Sequence, residues 1–294
     1  MSWLLFLLSL VGAWLAWNVH RPTYSPARPA VLSFFVGWLV GELGLHHAIF
    51  WSVVTAWLVA NGAAGGFVGQ LGLLVSLGTV VALVIGWLQS FSAGPAVERG
   101  LCDGLGPDYR NEIVPEIAQR HRSEIDWWKV ALPFHFRHPD VARVRDIRYR
   151  RVRGVNLHLD VWHHRSRPKN APVLFEIHGG GWIVGSKNEQ GIPMMVRMAA
   201  QGWVCVSVNY RLSPHATWPD PLVDLKYALK WVKDHVAEYG GDPSFIVAAG
   251  QSAGGHLASM VALTADEPSL QPGLEGFDAS VQGCVSFYGV YDFT

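Results

Sequence analysis

The stretch Phe245-Ile-Val-Ala-Ala-Gly-Gln-Ser-Ala-Gly-Gly-His256 decides the fold of this chain. It opens with a continuous apolar run, which is typical of a strand buried on both faces of a parallel sheet. A helical pattern follows the serine as far as about Ala265. A Gly-x-Ser-x-Gly sequence at such a junction predicts a sharp turn that exposes the serine hydroxyl at the end of the sheet. We therefore predict Ser252 as a catalytic nucleophile, with Gly250 and Gly254 allowing the close approach of the backbone.

Apolar runs and amphipathic segments alternate on both sides of this stretch. Two runs joined at Arg153-Gly154 have the two-residue periodicity of a hairpin. The other runs are short and continuously apolar, and helical patterns over 188–201 and 221–239 separate them. Strands that alternate with helices predict an α/β fold with a mostly parallel central sheet, to which we assign residues 141–294. The predicted strands are Val144–Arg150, Val155–Val161, Val173–Ile177, Val204–Val208, Phe245–Ala249 and Val281–Phe287.

A second glycine-rich motif, His178-Gly-Gly-Gly-Trp182, ends one of the predicted strands. Acyl transfer passes through an oxyanion, which backbone N–H groups stabilise. A glycine triplet could instead form a flexible loop or cradle a phosphate, although a P-loop would need a Gly-Lys-Ser/Thr ending, which the motif lacks. We predict that His178 supports the loop by hydrogen bonds and is not the general base. The predicted oxyanion donors are Gly179, Gly180, Gly181 and Ala253.

Charge and cysteine content exclude other classes of function. The 294 residues include 23 basic and 23 acidic side chains, whereas nucleic-acid-binding proteins normally have a basic excess. Three widely spaced cysteines indicate neither a disulfide framework nor a zinc site, and Cys205 and Cys284 are predicted core residues. His163 and His164 fall on opposite faces of a strand, which favours solvated histidines over a metal site. We expect no metal, no organic cofactor and no nucleic-acid partner.

The first 91 residues contain only three charged side chains, Arg21, Arg28 and Glu42. Such a composition predicts an integral membrane protein that contacts membrane lipid. A cleaved signal peptide is the weaker alternative, because the N-terminus has no basic residue and no convincing cleavage site. The predicted transmembrane region is 1–91, with about three helices over 3–19, 31–60 and 67–91, and residues 92–140 are interpreted as linker or cap helices.

Arg21 and Arg28 flank the first connection and set the predicted orientation, because short basic loops stay in the cytoplasm. With three spans in the plasma or inner membrane, this connection and everything after Phe91 are cytoplasmic. Within the second span, Glu42 with its neighbours His46 and His47 could form an intramembrane polar site. An interfacial kink is the interpretation that we favour.

Two further groups of residues each allow two interpretations. The arginine-rich run 143–153 is either a solvated strand face or a surface near anionic lipid. Four aromatic side chains before the first strand either form a cap over an acyl pocket or pack a linker onto the domain. These are Trp127, Trp128, Phe134 and Phe136.

Residues 172–260 resemble the α/β-hydrolase superfamily, and within it the hormone-sensitive-lipase-like carboxylesterases and acetyl esterases. The matching motifs are His178-Gly-Gly-Gly-Trp182, Val208-Asn-Tyr-Arg-Leu-Ser-Pro214, and Gly240-Gly-Asp-Pro-Ser244 leading to Gly250-Gln-Ser-Ala-Gly-Gly-His256. Bacterial membrane-anchored members are the most similar. The resemblance implies that Ser252 is the nucleophile and that small or medium acyl esters are the substrates. Gln251 departs from the acidic residue that is common before this serine.

A serine nucleophile also needs a histidine base and an acid, which follow it in this order: serine, acid, histidine. His256 lies one helical turn after Ser252 and is expected to be structural, and Asp292 is only a weak candidate for the acid. We expect the acid and the histidine beyond Thr294, so that the C-terminal part of the hydrolase fold is missing here. Two alternatives stay open: a membrane-tethered binding module without catalysis, and an amidase of the arylformamidase type.

Overall fold

The computed structural model describes residues 1–115 and 125–292. The chain divides into two compact units, Met1–Val114 and Pro115–Thr294. The division falls inside the segment 92–140, which the sequence assigns to a linker or cap. Residues 116–124 of that predicted segment lie outside the described residues, as do the last two residues of the predicted α/β domain.

The first unit is helical. Its helices α1 and α4 pack along each other, and α3 packs on α4. A short 3₁₀ turn over Tyr109–Glu112 follows the last of them. The helices are α1 (Ser2–His20), α2 (Ala27–Glu42), α3 (Gly44–Ala60), α4 (Gly66–Ser90) and α5 (Ala93–Leu105).

Small and polar residues share the interior of this unit with a few large apolar ones, such as Leu5 and Leu83. The buried positions of α1 include Ser9 and Gly12, and those of α4 include Gly72 and Ser76. A Cβ atom on Gly72 would lie 2.9 Å from the backbone of Phe6, so only glycine permits this approach of the two helices. This distribution is typical of helices that associate within lipid, where close backbone contact drives packing. Large apolar side chains cover the outside, among them Trp3, Trp17, Phe67 and Leu74.

Among the described residues, two helical stretches are long and apolar enough to cross a membrane, namely α1 and the run Gly66–Leu105. Helices α2 and α3 would supply a third only as a pair, because they are bent by 87° at the break between them. The predicted single span 31–60 is therefore interrupted at Leu43. The break lies next to Glu42 and Gly44, at the position where the sequence favours a kink.

Within the described residues of the second unit, six strands form the sheet: β1 (Val141–Val152), β2 (Val155–His164), β3 (Ala171–Ile177), β4 (Val204–Val208), β5 (Gly241–Gln251) and β6 (Gly283–Phe287). Their order is β1-β2-β4-β3-β5-β6. Strand β2 is antiparallel to β1 and β4, and the other neighbours are parallel. The predicted α/β fold with a mostly parallel sheet is confirmed.

Helices cover both faces of this sheet. Phe175 and Val206 pack against α8 and α9, whereas their chain neighbours Leu174 and Cys205 pack against α7, because successive strand residues point to opposite faces. Cys284 is exposed, contrary to the prediction of a core residue, because β6 is an edge strand in the described part of the sheet. The helices of this unit are α6 (Trp127–Ala131), α7 (Ile192–Ala200), α8 (Asp220–His235) and α9 (Ala253–Leu263).

Asp224 on α8 is completely buried and joins the helix to the sheet. Its carboxylate accepts hydrogen bonds from Arg211 Nε at 2.6 Å and from Arg150 Nη1 at 2.5 Å. The side chains of Arg150 and Arg143 are only 17% and 13% exposed, and each pairs with a buried aspartate. The arginine-rich run is thus not a uniform solvated or lipid-facing surface, since two of its members turn inward along the strand.

We expect Asp224→Asn to destabilise the second unit by about 3–5 kcal/mol, because Arg150 loses its paired carboxylate and Arg211 keeps only Asp220, at 3.1 Å. Hydrogen exchange of the β3 and β4 amides in the full chain measures the change. Asp234→Asn on the same helix is the matched control. Asp234 pairs with Lys230 at 2.8 Å, but both side chains are more than 40% exposed, so a loss below about 1 kcal/mol is expected. Equal losses in the two variants would contradict the role assigned to Asp224.

Candidate active site

Ser252 occupies a strained turn between β5 and α9. Its backbone dihedrals are φ 53° and ψ −122°, a conformation that non-glycine residues rarely adopt. Its N–H donates to Phe287 O at 3.0 Å, which fixes the turn against β6. A Cβ on Gly254 would lie 2.0 Å from Ile177 O, and one on Gly250 would lie 2.3 Å from Gly254 O. Both flanking positions therefore require glycine.

The loop after β3 lies beside this turn. A Cβ on Gly179 would be 3.2 Å from Ser252 Cβ, which places the loop directly against the serine. Gly180 and Gly181 have φ angles of +114° and +59°. A side chain on Gly180 would collide with Val184 O at 2.0 Å, whereas a Cβ on Gly181 would meet nothing within 4 Å. The loop is thus fixed by backbone contacts on one side and open on the other.

The amide groups around Ser252 differ in their availability. The N–H of Gly179 donates to Gln190 Oε1 at 2.8 Å, so this predicted oxyanion donor is already engaged within the protein. Among the described residues, no acceptor is bonded to the amides of Gly180 and Gly181. Ala253 is the first residue of α9, where a helix leaves its N–H groups without intrahelical partners. The geometry leaves Gly180, Gly181 and Ala253 as candidate donors and excludes Gly179 in this conformation.

A largely apolar cavity of about 500 Å³ opens beside the glycine loop. Gly181 lies on its wall together with Trp182, Trp218 and Met260. The ring of His256 also lines it and meets the Trp182 ring edge to face, with centroids 5.4 Å apart. Burial lowers the pKa of His256, which favours a neutral imidazole in this wall. Ser252 itself does not line the cavity, which reaches the serine turn through Gly181 and His256; its size and lining suit an acyl or aryl group.

The chain is similar in sequence to known proteins. Residues 159–294 match the family model BD-FAE. The probable carboxylic ester hydrolase LipM of Mycobacterium tuberculosis is 39% identical over 289 residues, which are 94% of this chain and 64% of LipM. The second unit is an α/β-hydrolase domain. Esterase LipQ of the same organism is 38% identical over 252 residues, or 84% of this chain and 59% of LipQ. The chain therefore spans about three fifths of the length of these relatives.

Among solved structures, esterase 2 of Thermogutta terrifontis is 29% identical to this chain. The match covers 53% of this chain and 59% of that chain, with a TM-score of 0.45.

His178 and Tyr210 hold the glycine loop of the hydrolase domain from behind. Their rings stack with centroids 4.4 Å apart, and Tyr210 Oη donates to His178 O at 2.9 Å. His178 Nδ1 lies 2.7 Å from Gly179 O, and the side chain is 1% exposed. Burial lowers the pKa of His178. Sequence reasoning did not single out Tyr210, although it lies inside the quoted motif that follows β4.

The predicted cap aromatics lie elsewhere in the hydrolase domain. Within the described residues, none of Trp127, Trp128, Phe134 and Phe136 lines the cavity beside Ser252. Trp128 and Phe134 are 68% and 72% exposed. Asp292, the weak candidate for a triad acid, is also exposed, in the segment after β6.

Glu176, two residues before His178, is a buried carboxyl group that sequence reasoning missed. It is fully buried on β3, and among the described residues neither of its oxygens has a hydrogen-bond partner. A Cβ on Gly191 would lie 2.5 Å from Glu176 Oε1, so the loop closes tightly over it. Burial raises the pKa of Glu176 to about 8, and the group is therefore protonated at neutral pH. The only signal was a charged residue inside an apolar strand.

This carboxyl group makes stability depend on pH. In the unfolded chain Glu176 releases its proton near its ordinary pKa of 4.5, whereas the folded domain retains it to about 8. Stability from this group is therefore complete below about pH 4.5 and is lost as the pH rises to about 8. Between these pH values, we expect the free energy of unfolding of Glu176→Gln to rise relative to that of the wild type, by on the order of a few kcal/mol in total. Calorimetric unfolding midpoints of the full chain at pH 5, 7 and 9 measure this, with exposed Glu275→Gln as the control. If the difference in unfolding midpoint between the variant and the wild type does not grow with pH, the raised pKa assigned to Glu176 is contradicted.

Proposed function

We propose that the natural protein is a serine carboxylic ester hydrolase with Ser252 as nucleophile. The observation that carries the proposal is the position of Ser252. Its strained turn lies between the first amide of α9 and the unengaged amides of Gly180 and Gly181. A developing negative charge on the substrate is stabilised there by donors that need no rearrangement. The helix N-terminus adds a favourable dipole.

In the proposed reaction, Ser252 Oγ forms a bond to the ester carbonyl carbon while its proton passes to a histidine base. The carbonyl oxygen becomes an oxyanion that accepts hydrogen bonds from Gly180, Gly181 and Ala253. Collapse breaks the bond to the alcohol oxygen, which takes the proton from the histidine and leaves as alcohol. Water then attacks the acyl-enzyme by the same steps, releasing a carboxylic acid and restoring Ser252. The acid and the histidine follow the serine in the family order.

The cavity beside Ser252 supports esters with small or medium acyl groups. A volume of about 500 Å³ with Trp182, Trp218 and Met260 in its wall accepts an apolar chain or ring but offers little to a charged one. The names of the relatives LipM and LipQ, a carboxylic ester hydrolase and an esterase, support ester over amide as the bond cleaved.

Ser252→Ala in the natural protein is expected to abolish covalent labelling by a fluorophosphonate and to lower hydrolysis of p-nitrophenyl butyrate by a factor on the order of 10³ or more. Ser259→Ala is the matched control, since Ser259 lies on the same helix and donates to Gly255 O. It should retain labelling and rate within about twofold, as surface substitutions remote from the chemistry do. A folded wild type that stays unlabelled would favour a binding module without catalysis.

We also propose that the first unit anchors the protein in the plasma or inner membrane with the hydrolase domain in the cytoplasm. Two or three apolar helical stretches, small residues inside and large apolar side chains outside support the anchor. Arg21 and Arg28 in the first connection support the orientation.

Fusions to alkaline phosphatase, which is active only outside the cytoplasm, test this topology in bacterial cells. A fusion after Phe91 is expected to be inactive and one after Gly62, between α3 and α4, to be active, because three spans place these points on opposite sides. Activity of the Phe91 fusion would reverse the orientation. Release of the protein by alkaline carbonate would contradict the anchor itself.

A further inference from the structure

A second cavity, of about 390 Å³, lies in the hydrolase domain and shares no lining residue with the cavity beside Ser252. We call it the arginine cavity. It lies between the segment that precedes β1, the paired strands β1 and β2, and helix α7. Its lining residues are Phe134, Phe136, Arg137, His138, Val141, Arg143, Arg145, Trp162, Arg165, Ile192 and Val196.

The arginine cavity carries an excess of positive charge. Of its arginines, Arg143 is neutralised by the buried carboxylate of Asp160, to which its Nε donates at 2.8 Å. Among the described residues, no carboxylate pairs with Arg137, Arg145 or Arg165; the last donates only to a backbone carbonyl.

The acidic groups near the cavity do not balance these three cations. Asp140 lies 3.9 Å from His138 and is 60% exposed. Asp160 binds Lys187 at 2.6 Å in addition to Arg143, and Asp146 binds the same lysine at 2.7 Å. Arg137, Arg145 and Arg165 are exposed to solvent and line one cavity, and the described part of the chain places no carboxylate in an ion pair with any of them.

Arg145 is held in this place by a bulge in β1. The pairing with β2 shifts between Val144 and Ile147, so Arg145 and Asp146 interrupt the ladder. Asp146 has a φ angle of +57°, and its N–H donates to Asp160 Oδ1 at 2.8 Å. A bulge redirects a side chain, and a strained residue persists only where surrounding contacts hold it. The buried aspartate thus fixes the backbone from which Arg145 reaches the cavity.

The remaining lining is aromatic and apolar. Trp162 is 8% exposed, and among the described residues its Nε1–H has no acceptor. The Arg143 guanidinium lies 4.2 Å from the centre of a Trp162 ring, which orients both groups. Val141, Ile192 and Val196 supply an apolar surface next to these donors. A ligand that pairs with the arginines and also covers the apolar lining is an amphiphile with an anionic head group.

We propose that the arginine cavity binds the phosphate group of an anionic phospholipid. Guanidinium groups match phosphate oxygens through paired hydrogen bonds, and the apolar lining accepts the adjoining acyl segments. A lipid is favoured over free phosphate by this apolar lining and by the membrane-length helices of the same chain.

Titration calorimetry of the full chain in a neutral detergent tests the site with dihexanoyl phosphatidylglycerol as the probe. We expect saturable binding that weakens about tenfold in Arg137→Gln and in Arg145→Gln, since each loses charge-assisted hydrogen bonds. Trp162→Phe, which removes part of the aromatic surface on which the Arg143 guanidinium lies, is expected to weaken binding about threefold. Arg148→Gln is the matched control, because Arg148 is exposed on the same strand and lies outside the cavity.

Unchanged affinity in both arginine variants, or an equal loss in Arg148→Gln, would overturn the site. Equal binding of the zwitterionic dihexanoyl phosphatidylcholine would show that the arginines do not select an anionic head, and would overturn it as well. Inorganic phosphate that displaces the lipid at equal concentration would overturn the lipid assignment. Because binding is the readout, failure here is distinguishable from failure of Ser252 as the nucleophile.

Discussion

One contact between two backbones determines most of the hydrolase domain: the turn after β5 lies directly against the end of β3. Cβ atoms on Gly250 and Gly254 would lie 2.7 Å and 2.0 Å from Ile177 O, so no side chain fits between the two segments. Because β3 and β5 are parallel neighbours, both loops leave the sheet at the same edge. The serine and the amides of the glycine loop therefore meet there. The strain at Ser252 is the local consequence of this close approach.

Polar groups fix the glycine loop from behind while its open side stays free. Gln190 holds the amide of Gly179, and Tyr210 holds the carbonyl of His178. Lys187 ties the segment before Gln190 to buried Asp160 on β2. These bonds position the amides of Gly180 and Gly181 without occupying them, which is what the proposed oxyanion role requires. Asp160 also supports the bulge below the arginine cavity, and one buried carboxylate thereby organises two separate surfaces of the domain.

The two units differ in which side chains are buried and which are exposed. In the hydrolase domain, apolar side chains such as Phe175 and Leu225 fill the core, as water exclusion requires. In the first unit, buried glycine, serine and threonine lie beside buried Leu5, Leu58 and Leu83, and many large apolar side chains lie on the outside, as is typical of helices that pack within lipid. The two units have one feature in common, a glycine that allows close backbone contact. In the first unit Gly72 lies against Phe6, and in the second Gly254 lies against Ile177.

The sequence by itself determined the α/β fold, the position of Ser252 and the glycine loop beside it, because strand runs and glycine motifs depend on neighbouring residues. Tertiary structure decided what depends on distant partners. Gly179 was predicted as an oxyanion donor, but its amide binds Gln190, eleven residues away. Arg150 turns inward to Asp224, 74 residues away, and no local pattern contains that pair. The sequence favoured a kink near Glu42, but the size of the bend, 87° at Leu43, is decided by the structure. The arginine cavity likewise exists only because a bulge, a loop and a helix bring unpaired cations together.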